Sequence, residues 1–92
     1  MRIIGYIEHP SMKITLFKMD NKLSVKFEQG LLEQTYKFRV SNELENQADL
    51  EKLVSEAMMQ EVEAAFIQMR SIRSGATKAY FPELDNEFEK II

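Results

Sequence analysis

The sequence predicts an α+β domain in which a four-stranded antiparallel β-meander precedes a long C-terminal α-helix. The helix is expected to pack on one sheet face and to lead into a short acidic tail. Turn signals at roughly ten-residue spacing divide residues 1–40 into runs of alternating polarity, as in consecutive hairpins. Residues 41–74 contain neither glycine nor proline, and their apolar residues recur at the helical spacings of three and four. A chain of 92 residues with 45% hydrophobic content suits a single domain, residues 1–92, with one modest core.

The registers of the three hairpins follow from three predicted loops, which are Pro10-Ser11, Asp20-Asn21 and Gln29-Gly30. The first two loops place Ile14 opposite both Ile7 and Phe27, and the third places Lys26 opposite Glu33. Because apolar residues meet apolar ones and charges meet countercharges, the loops agree on one buried face. That face is expected to hold Ile3, Ile7, Ile14, Leu16, Leu23, Val25, Phe27, Leu32, Tyr36, Phe38 and Val40.

The opposite face of the predicted sheet is mixed rather than uniformly polar. The first two strands place apolar side chains there, which are Ile4, Tyr6, Phe17 and Met19. The last two strands add hydroxyl and basic side chains, which are Lys22, Ser24, Lys26, Thr35, Lys37 and Arg39. Charge also divides along the chain, since residues 1–40 carry a net +3 and residues 41–92 a net −6. An apolar corner is therefore expected beside a basic field.

One long helix is predicted over residues 46–74, with Asn46 as its N-cap and Ser74-Gly75 as its end. Such a helix is roughly 40 Å long and overhangs strands of about 27 Å. Its apolar stripe changes face near Met58. Because no glycine or proline lies there, a continuous helix is preferred, whose later part faces a second partner. The alternative is two helices that meet near residues 57–60, with Ser55 as a cap.

Residues 75–92 are predicted to form the tail, which mixes aromatic and acidic side chains. Pro82 is suited to open a short second helix there. Such a segment is expected either to fold onto the apolar outer corner, to engage a neighbour or to stay mobile.

Several classes of function are disfavoured by what the sequence lacks. Without cysteine it has neither a disulfide framework nor a thiolate metal site. It has no apolar run of 18 residues and no signal-peptide pattern, so a cytoplasmic protein without membrane contact is expected. The single histidine, His9, is interpreted as a solvated loop residue, and no nucleophile or phosphate-loop motif is present. We therefore expect no enzyme activity, no cofactor and no metal.

The leading hypothesis from the sequence is a protein-interaction or adaptor module that forms a homodimer. The apolar surface exceeds what one helix-sheet interface can hide, which indicates a second packing partner. Self-association is expected through the later helix stripe, whose candidates are Val62, Phe66 and Met69. The outer corner supplies further candidates, which are Ile4, Tyr6, Phe17 and Met19.

Single-stranded nucleic-acid binding is the alternative hypothesis. Four basic side chains, Lys22, Lys26, Lys37 and Arg39, lie beside the rings of Tyr6 and Phe17 on the predicted outer face. A meander of four strands followed by a helix resembles the Pur-alpha type of nucleic-acid-binding repeat in the order of its elements. This resemblance implies nucleic acid as a partner and assigns no residue a role. A small-molecule carrier with a pocket between helix and sheet is a third possibility, for which no polar constellation is present.

Overall fold

The fold is an antiparallel sheet covered on one face by helices, as a computed structural model that describes residues 1–81 shows. The elements are β1 (Arg2–Ile7), β2 (Lys13–Met19), β3 (Lys22–Gln29), β4 (Leu32–Arg39), α1 (Gln47–Leu53) and α2 (Glu56–Tyr80). The four strands lie in sequence order in the sheet. The predicted α+β class, with a β-meander followed by a long helix packed on the sheet, is confirmed. The predicted helix at Pro82 lies outside the described residues.

The hairpin of β2 and β3 has the predicted register, with Ile14 opposite Phe27 and Lys13 opposite Glu28. Its loop is Asp20-Asn21, and Asp20 adopts the left-handed conformation with φ of 52°. An aspartate tolerates that conformation better than most side chains because its short polar group bonds locally. The first hairpin also pairs Ile7 with Ile14, as predicted.

The register predicted for β3 and β4 is wrong by two residues. The loop is Gly30-Leu31 rather than Gln29-Gly30, so Lys26 lies opposite Thr35 instead of Glu33. Gly30 takes the left-handed conformation, with φ of 60°, inside the loop. A shift of two residues keeps every side chain on its predicted face, because the side chains of a strand alternate with a period of two.

β1 departs from the prediction at a bulge between Ile3 and Gly5. The bulge places Ile3 opposite Phe17, on the outer face, where half of its surface is exposed. Ile4 instead packs against the core. The predicted positions of these two isoleucines are therefore exchanged. One extra residue in a strand moves each side chain beyond it to the opposite face of the sheet.

The core lies between the inner sheet face and the two helices. Five strand residues form its floor, and they are Ile14, Leu16, Leu23, Val25 and Phe27. The helices cover this floor with Leu50 and Val54 from α1 and its C-cap, and Val62 and Phe66 from α2. Phe27 and Phe66 are among the largest side chains that are fully buried.

The long helix is divided in two at Val54 and Ser55, so the preferred prediction of a continuous helix is wrong there. Asn46 caps α1 as predicted, because its Oδ1 accepts a bond of 3.0 Å from the Asp49 N–H. Ser55 caps α2 through a bond from the Met58 N–H to its Oγ, at 3.2 Å. On a single continuous helix the two apolar stripes would point in directions roughly 100° apart. Because the helix is broken, both stripes can pack on the same sheet. The change of stripe therefore needs no second partner.

The helix α2 continues to Tyr80, beyond its predicted end at Gly75. Its 25 residues extend about 37 Å. Besides its apolar packing, two side-chain hydrogen bonds connect it to the sheet. The Gln34 side-chain amide donates to the Val62 carbonyl at 3.0 Å, and Arg70 donates to the Gln29 side chain. The protein measures 51 × 25 × 16 Å, in agreement with a helix that overhangs its sheet.

Replacing Ser55 by alanine is expected to lower the free energy of unfolding by about 1 kcal/mol, because the α2 cap is lost. Urea denaturation followed by circular dichroism measures the change. Ser71→Ala is the matched control, since Ser71 is exposed within the same helix, and it is expected to be neutral or stabilising. Equal losses in both variants would contradict a capping role for Ser55.

Replacing Gly75 by alanine is expected to raise the free energy of unfolding by up to about 1 kcal/mol. A Cβ at this helical position would meet no atom within 4 Å apart from the adjacent residues and the backbone of its own helix, so it gains helix propensity without a clash. If the helix ended at Gly75 in a left-handed turn, the same substitution would be destabilising. The sign of the change in urea denaturation therefore reports whether the helix runs through this residue in solution.

Candidate functional site

The outer face of the sheet is a surface that no helix covers within residues 1–81. Within residues 1–81 both helices pack on the inner face, so the outer side chains form an uncovered platform. Cross-strand pairing arranges them in rows, which are Tyr6, Thr15, Lys26 and Thr35, then Ile3, Phe17, Ser24 and Lys37, then Met19, Lys22 and Arg39. The structure thus brings together the predicted apolar corner and the predicted basic field, with Ile3 in the place of Ile4.

The apolar half of the outer face consists of Ile3, Tyr6, Phe17 and Met19. Ile3 is 50% exposed, Tyr6 58% and Met19 46%, whereas Phe17 is half-buried. Thr15 is buried in the middle of the sheet, between Tyr6 and Lys26 in the register. Contiguous exposed apolar side chains on a stable sheet are typical of an interaction site.

The basic half of the outer face consists of Lys22, Lys26, Lys37 and Arg39. Lys26 is engaged within the chain: its Nζ lies 3.8 Å from a Glu28 carboxylate oxygen and 3.7 Å from one of Glu33. The same amino group lies 5.7 Å from the centre of the Phe17 ring, which is a cation–π contact. Two carboxylates therefore balance the charge of Lys26.

The other three cations, Lys22, Lys37 and Arg39, have no carboxylate within ion-pair distance in the described part of the chain. Lys22 and Arg39 lie directly opposite each other on β3 and β4. Two like charges in opposing positions destabilise a sheet. The folded chain therefore carries an unfavourable pair at this end of the outer face, and an anionic partner would relieve it.

The predicted helical interface is not available on the surface of the folded chain. Val62 and Phe66 are buried in the core of the single chain, and Met69 packs against that core. The large apolar side chains that α2 exposes are instead Ile67 and Ile72, each 62% exposed, and Tyr80 at its end, 80% exposed. Val62 and Phe66 were predicted to lie on an outward-facing stripe because the helix was predicted to be continuous.

A polar cluster of His9, Ser11 and Glu63 was missed by the sequence analysis. The His9 side chain is 15% exposed rather than solvated, and its Nε2 lies 3.4 Å from the Glu63 carboxylate. Ser11 Oγ donates to the same carboxylate at 2.7 Å. The His9 Nδ1 accepts the Ser11 backbone N–H at 3.1 Å, so that nitrogen has no free lone pair to act as a base toward Ser11. The cluster fastens the first hairpin loop to α2.

Other kinds of site find little support in the described residues. No group of three or more potential metal ligands occurs within residues 1–81. No helix in the same range is long and apolar enough to cross a membrane. Within residues 1–81, fully buried side chains, among them Phe27, Leu50 and Phe66, pack between the helices and the sheet, where a carrier pocket was considered.

No protein-family model matches the sequence, no curated protein is detectably similar to it, and no solved structure matches its fold. The likeness to the Pur-alpha type of repeat is therefore one of strand and helix order alone. Function is inferred from the geometry of this chain.

Replacing Lys22 by glutamate is expected to raise the free energy of unfolding by up to about 1 kcal/mol at low salt, because the pair with Arg39 becomes attractive. The gain should shrink in concentrated salt, where exposed charges are screened. Lys13→Glu is the matched control, since Lys13 begins β2 on the same face and lies opposite Glu28. It is expected to be destabilising by a similar amount, and chemical denaturation at two salt concentrations measures both. A stabilising Lys13 variant, or a destabilising Lys22 variant, would contradict the register.

Proposed function

We propose that the protein is a non-enzymatic interaction module, whose outer sheet face binds a protein segment that presents carboxylates beside aliphatic side chains. The observation that carries this proposal is the adjacency of the apolar half and the basic half on one sheet face that no helix covers within residues 1–81. Apolar contact supplies binding energy, while charge complementarity selects the partner and fixes its direction. The unfavourable pair of Lys22 and Arg39 supports the same proposal, because residues that lower stability on an open surface are typical of binding sites.

A protein partner is favoured over nucleic acid by the chemistry of the apolar half. Single-stranded nucleic acid needs open ring faces for its bases, whereas the Phe17 ring is half-buried and has the Lys26 amino group over one face, 5.7 Å from its centre. Ile3 and Met19 are aliphatic and offer no ring for stacking. An acidic protein segment with apolar side chains matches both halves of the face.

Self-association through the later stripe of α2 is left out of this proposal. Phe66 lies in the core, so Phe66→Asp would unfold the chain rather than separate two copies of it. An apolar contact by α2 would instead use its exposed residues Ile67, Ile72 and Tyr80.

Fluorescence anisotropy with a labelled peptide of alternating glutamate and leucine tests the proposal. The protein is expected to bind this peptide and not to bind a peptide in which lysine replaces glutamate. Lys37→Glu is expected to weaken binding about fivefold, which corresponds to about 1 kcal/mol. Lys52→Glu on α1 is the control, because it makes the same change in charge at an exposed site away from the outer face.

Tyr6→Ala tests the apolar half in the same assay and is expected to weaken binding while the protein stays folded. Equal effects of Lys37→Glu and Lys52→Glu would show that net charge alone drives binding. That result, or equal affinity for both peptides, would contradict a specific surface.

Single-stranded nucleic acid is a second candidate partner, supported by the exposed Tyr6 ring on the same face as three cations that have no carboxylate partner within residues 1–81. A mixed-sequence single-stranded DNA at low salt is the probe. Three phosphate contacts would give a slope of about −2 for the logarithm of the binding constant against that of salt. Absence of binding at low salt would eliminate this candidate.

A further inference from the structure

The strand β4 is an open edge of the sheet. It pairs with β3 on one side, and within residues 1–81 no strand pairs with its other side. Natural proteins interrupt, cover or charge such edges to prevent association, and the opposite edge is interrupted by the bulge of β1 between Ile3 and Gly5. By contrast, β4 has an unbroken register over Leu32–Arg39 and contains no proline. It is therefore accessible to another strand.

The backbone groups that point away from the sheet can be assigned from the hairpin loop. Gln29 and Leu32 close a two-residue loop, so they exchange both of their backbone hydrogen bonds. In an antiparallel ladder every second residue of a strand bonds to its partner strand, so Gln34, Tyr36 and Phe38 also bond to β3. The bond of 2.8 Å from the Val40 N–H to the Asn21 carbonyl agrees with this alternation. The free N–H and C=O groups consequently belong to the intervening residues, which are Glu33, Thr35, Lys37 and Arg39.

We propose that two copies of this chain join through antiparallel pairing of their β4 strands, about a two-fold axis at Tyr36. In this register Glu33 of each copy lies opposite Arg39 of the other, so two opposite-charge pairs flank the axis. Thr35 lies opposite Lys37, and like charges do not meet directly. All four outward-pointing residues exchange backbone bonds, which gives one continuous sheet of eight strands.

Tyr36 distinguishes this register from its neighbours. Its ring contacts Phe27 edge-to-face at 6.1 Å between centroids, yet the residue is still 38% exposed at the sheet edge. Pairing about Tyr36 places the two tyrosines opposite each other with Cα atoms about 4.5 Å apart, which covers both rings. If one β4 strand slides by two residues along the other in one direction, the two copies of Lys37 lie opposite each other. A shift of two the other way pairs Glu33 with Lys37 and leaves Tyr36 opposite Gln34.

This association goes beyond the proposed function and does not depend on it. The eight-stranded sheet keeps both outer faces open, with an apolar half near each end. Glu33 of the second copy supplies a countercharge to Arg39, while Lys22 and Lys37 stay available to a partner. Loss of peptide binding and loss of the dimer are therefore separate results.

Light scattering after size exclusion tests the proposal, and a dimer is expected from micromolar concentrations upward. Arg39→Glu is expected to weaken the dimer by about tenfold or more, because glutamates then face each other twice, and Glu33→Arg should do so through facing arginines. The double variant Glu33→Arg with Arg39→Glu is expected to restore the wild-type dimer. Circular dichroism is the control that checks whether each variant is folded.

A cysteine cross-link tests the register. The chain has no cysteine, so a single introduced thiol reports one position. Tyr36→Cys is expected to form a disulfide dimer under mild oxidation, because opposing residues at a non-hydrogen-bonded site are close enough to be bridged. Ser71→Cys, which is exposed on α2, is the control for random collision and is expected to stay mainly reduced.

Three results would overturn the proposal. One is a wild-type protein that is monomeric at every concentration. Another is a dimer that the double charge exchange does not restore, with no more cross-linking at Tyr36→Cys than at Ser71→Cys. The third is a dimer that persists in Arg39→Glu but is lost in Ile67→Asp with Ile72→Asp, which would assign the contact to α2.

Discussion

The architecture depends on burying one face of a single small sheet. A sheet of four short strands cannot hide its own apolar face, so every other element is arranged to cover it. The covering residues come from two helices, and the break at Val54 and Ser55 brings both of their apolar stripes onto the same floor. Without that break, one stripe would face solvent. The capped break is therefore part of how the core is completed.

The second consequence of this arrangement is an outer face that no helix covers within residues 1–81. It keeps features that do not serve stability, such as the like-charge pair of Lys22 and Arg39 and the exposed rings and aliphatic groups of β1 and β2. The cation of Lys26, in contrast, is balanced by two glutamates and contributes to the fold. Lys26 is thus neutralised, whereas Lys22, Lys37 and Arg39 have no carboxylate partner within residues 1–81. The binding proposal rests on these three cations and on the exposed apolar side chains.

Much of the sheet could be predicted from the sequence, because strand facing depends only on parity. The error of two residues at the loop Gly30-Leu31 changed the partners of β4 but moved no side chain to the other face. The bulge in β1 was not predicted, although the consecutive Ile3 and Ile4 and the isolated Gly5 interrupt the alternation of Arg2–Ile7, and a glycine inside a strand often marks a bulge. It exchanged Ile3 for Ile4 in the candidate site. The remaining outer residues, such as Tyr6 and Lys37, lie where the alternation placed them.

The sequence by itself determined the class of fold, the two faces of the sheet, the cap at Asn46 and the separation of basic from acidic regions. These follow from local periodicity and short-range chemistry, which act over a few residues. Only the tertiary structure decided that the helix breaks before α2, that Val62 and Phe66 belong to the core, and that His9 contacts Glu63. Each of these depends on how far one element lies from another in space. Burial of a shared sheet face overrides the preference of an uninterrupted apolar run to stay a single helix.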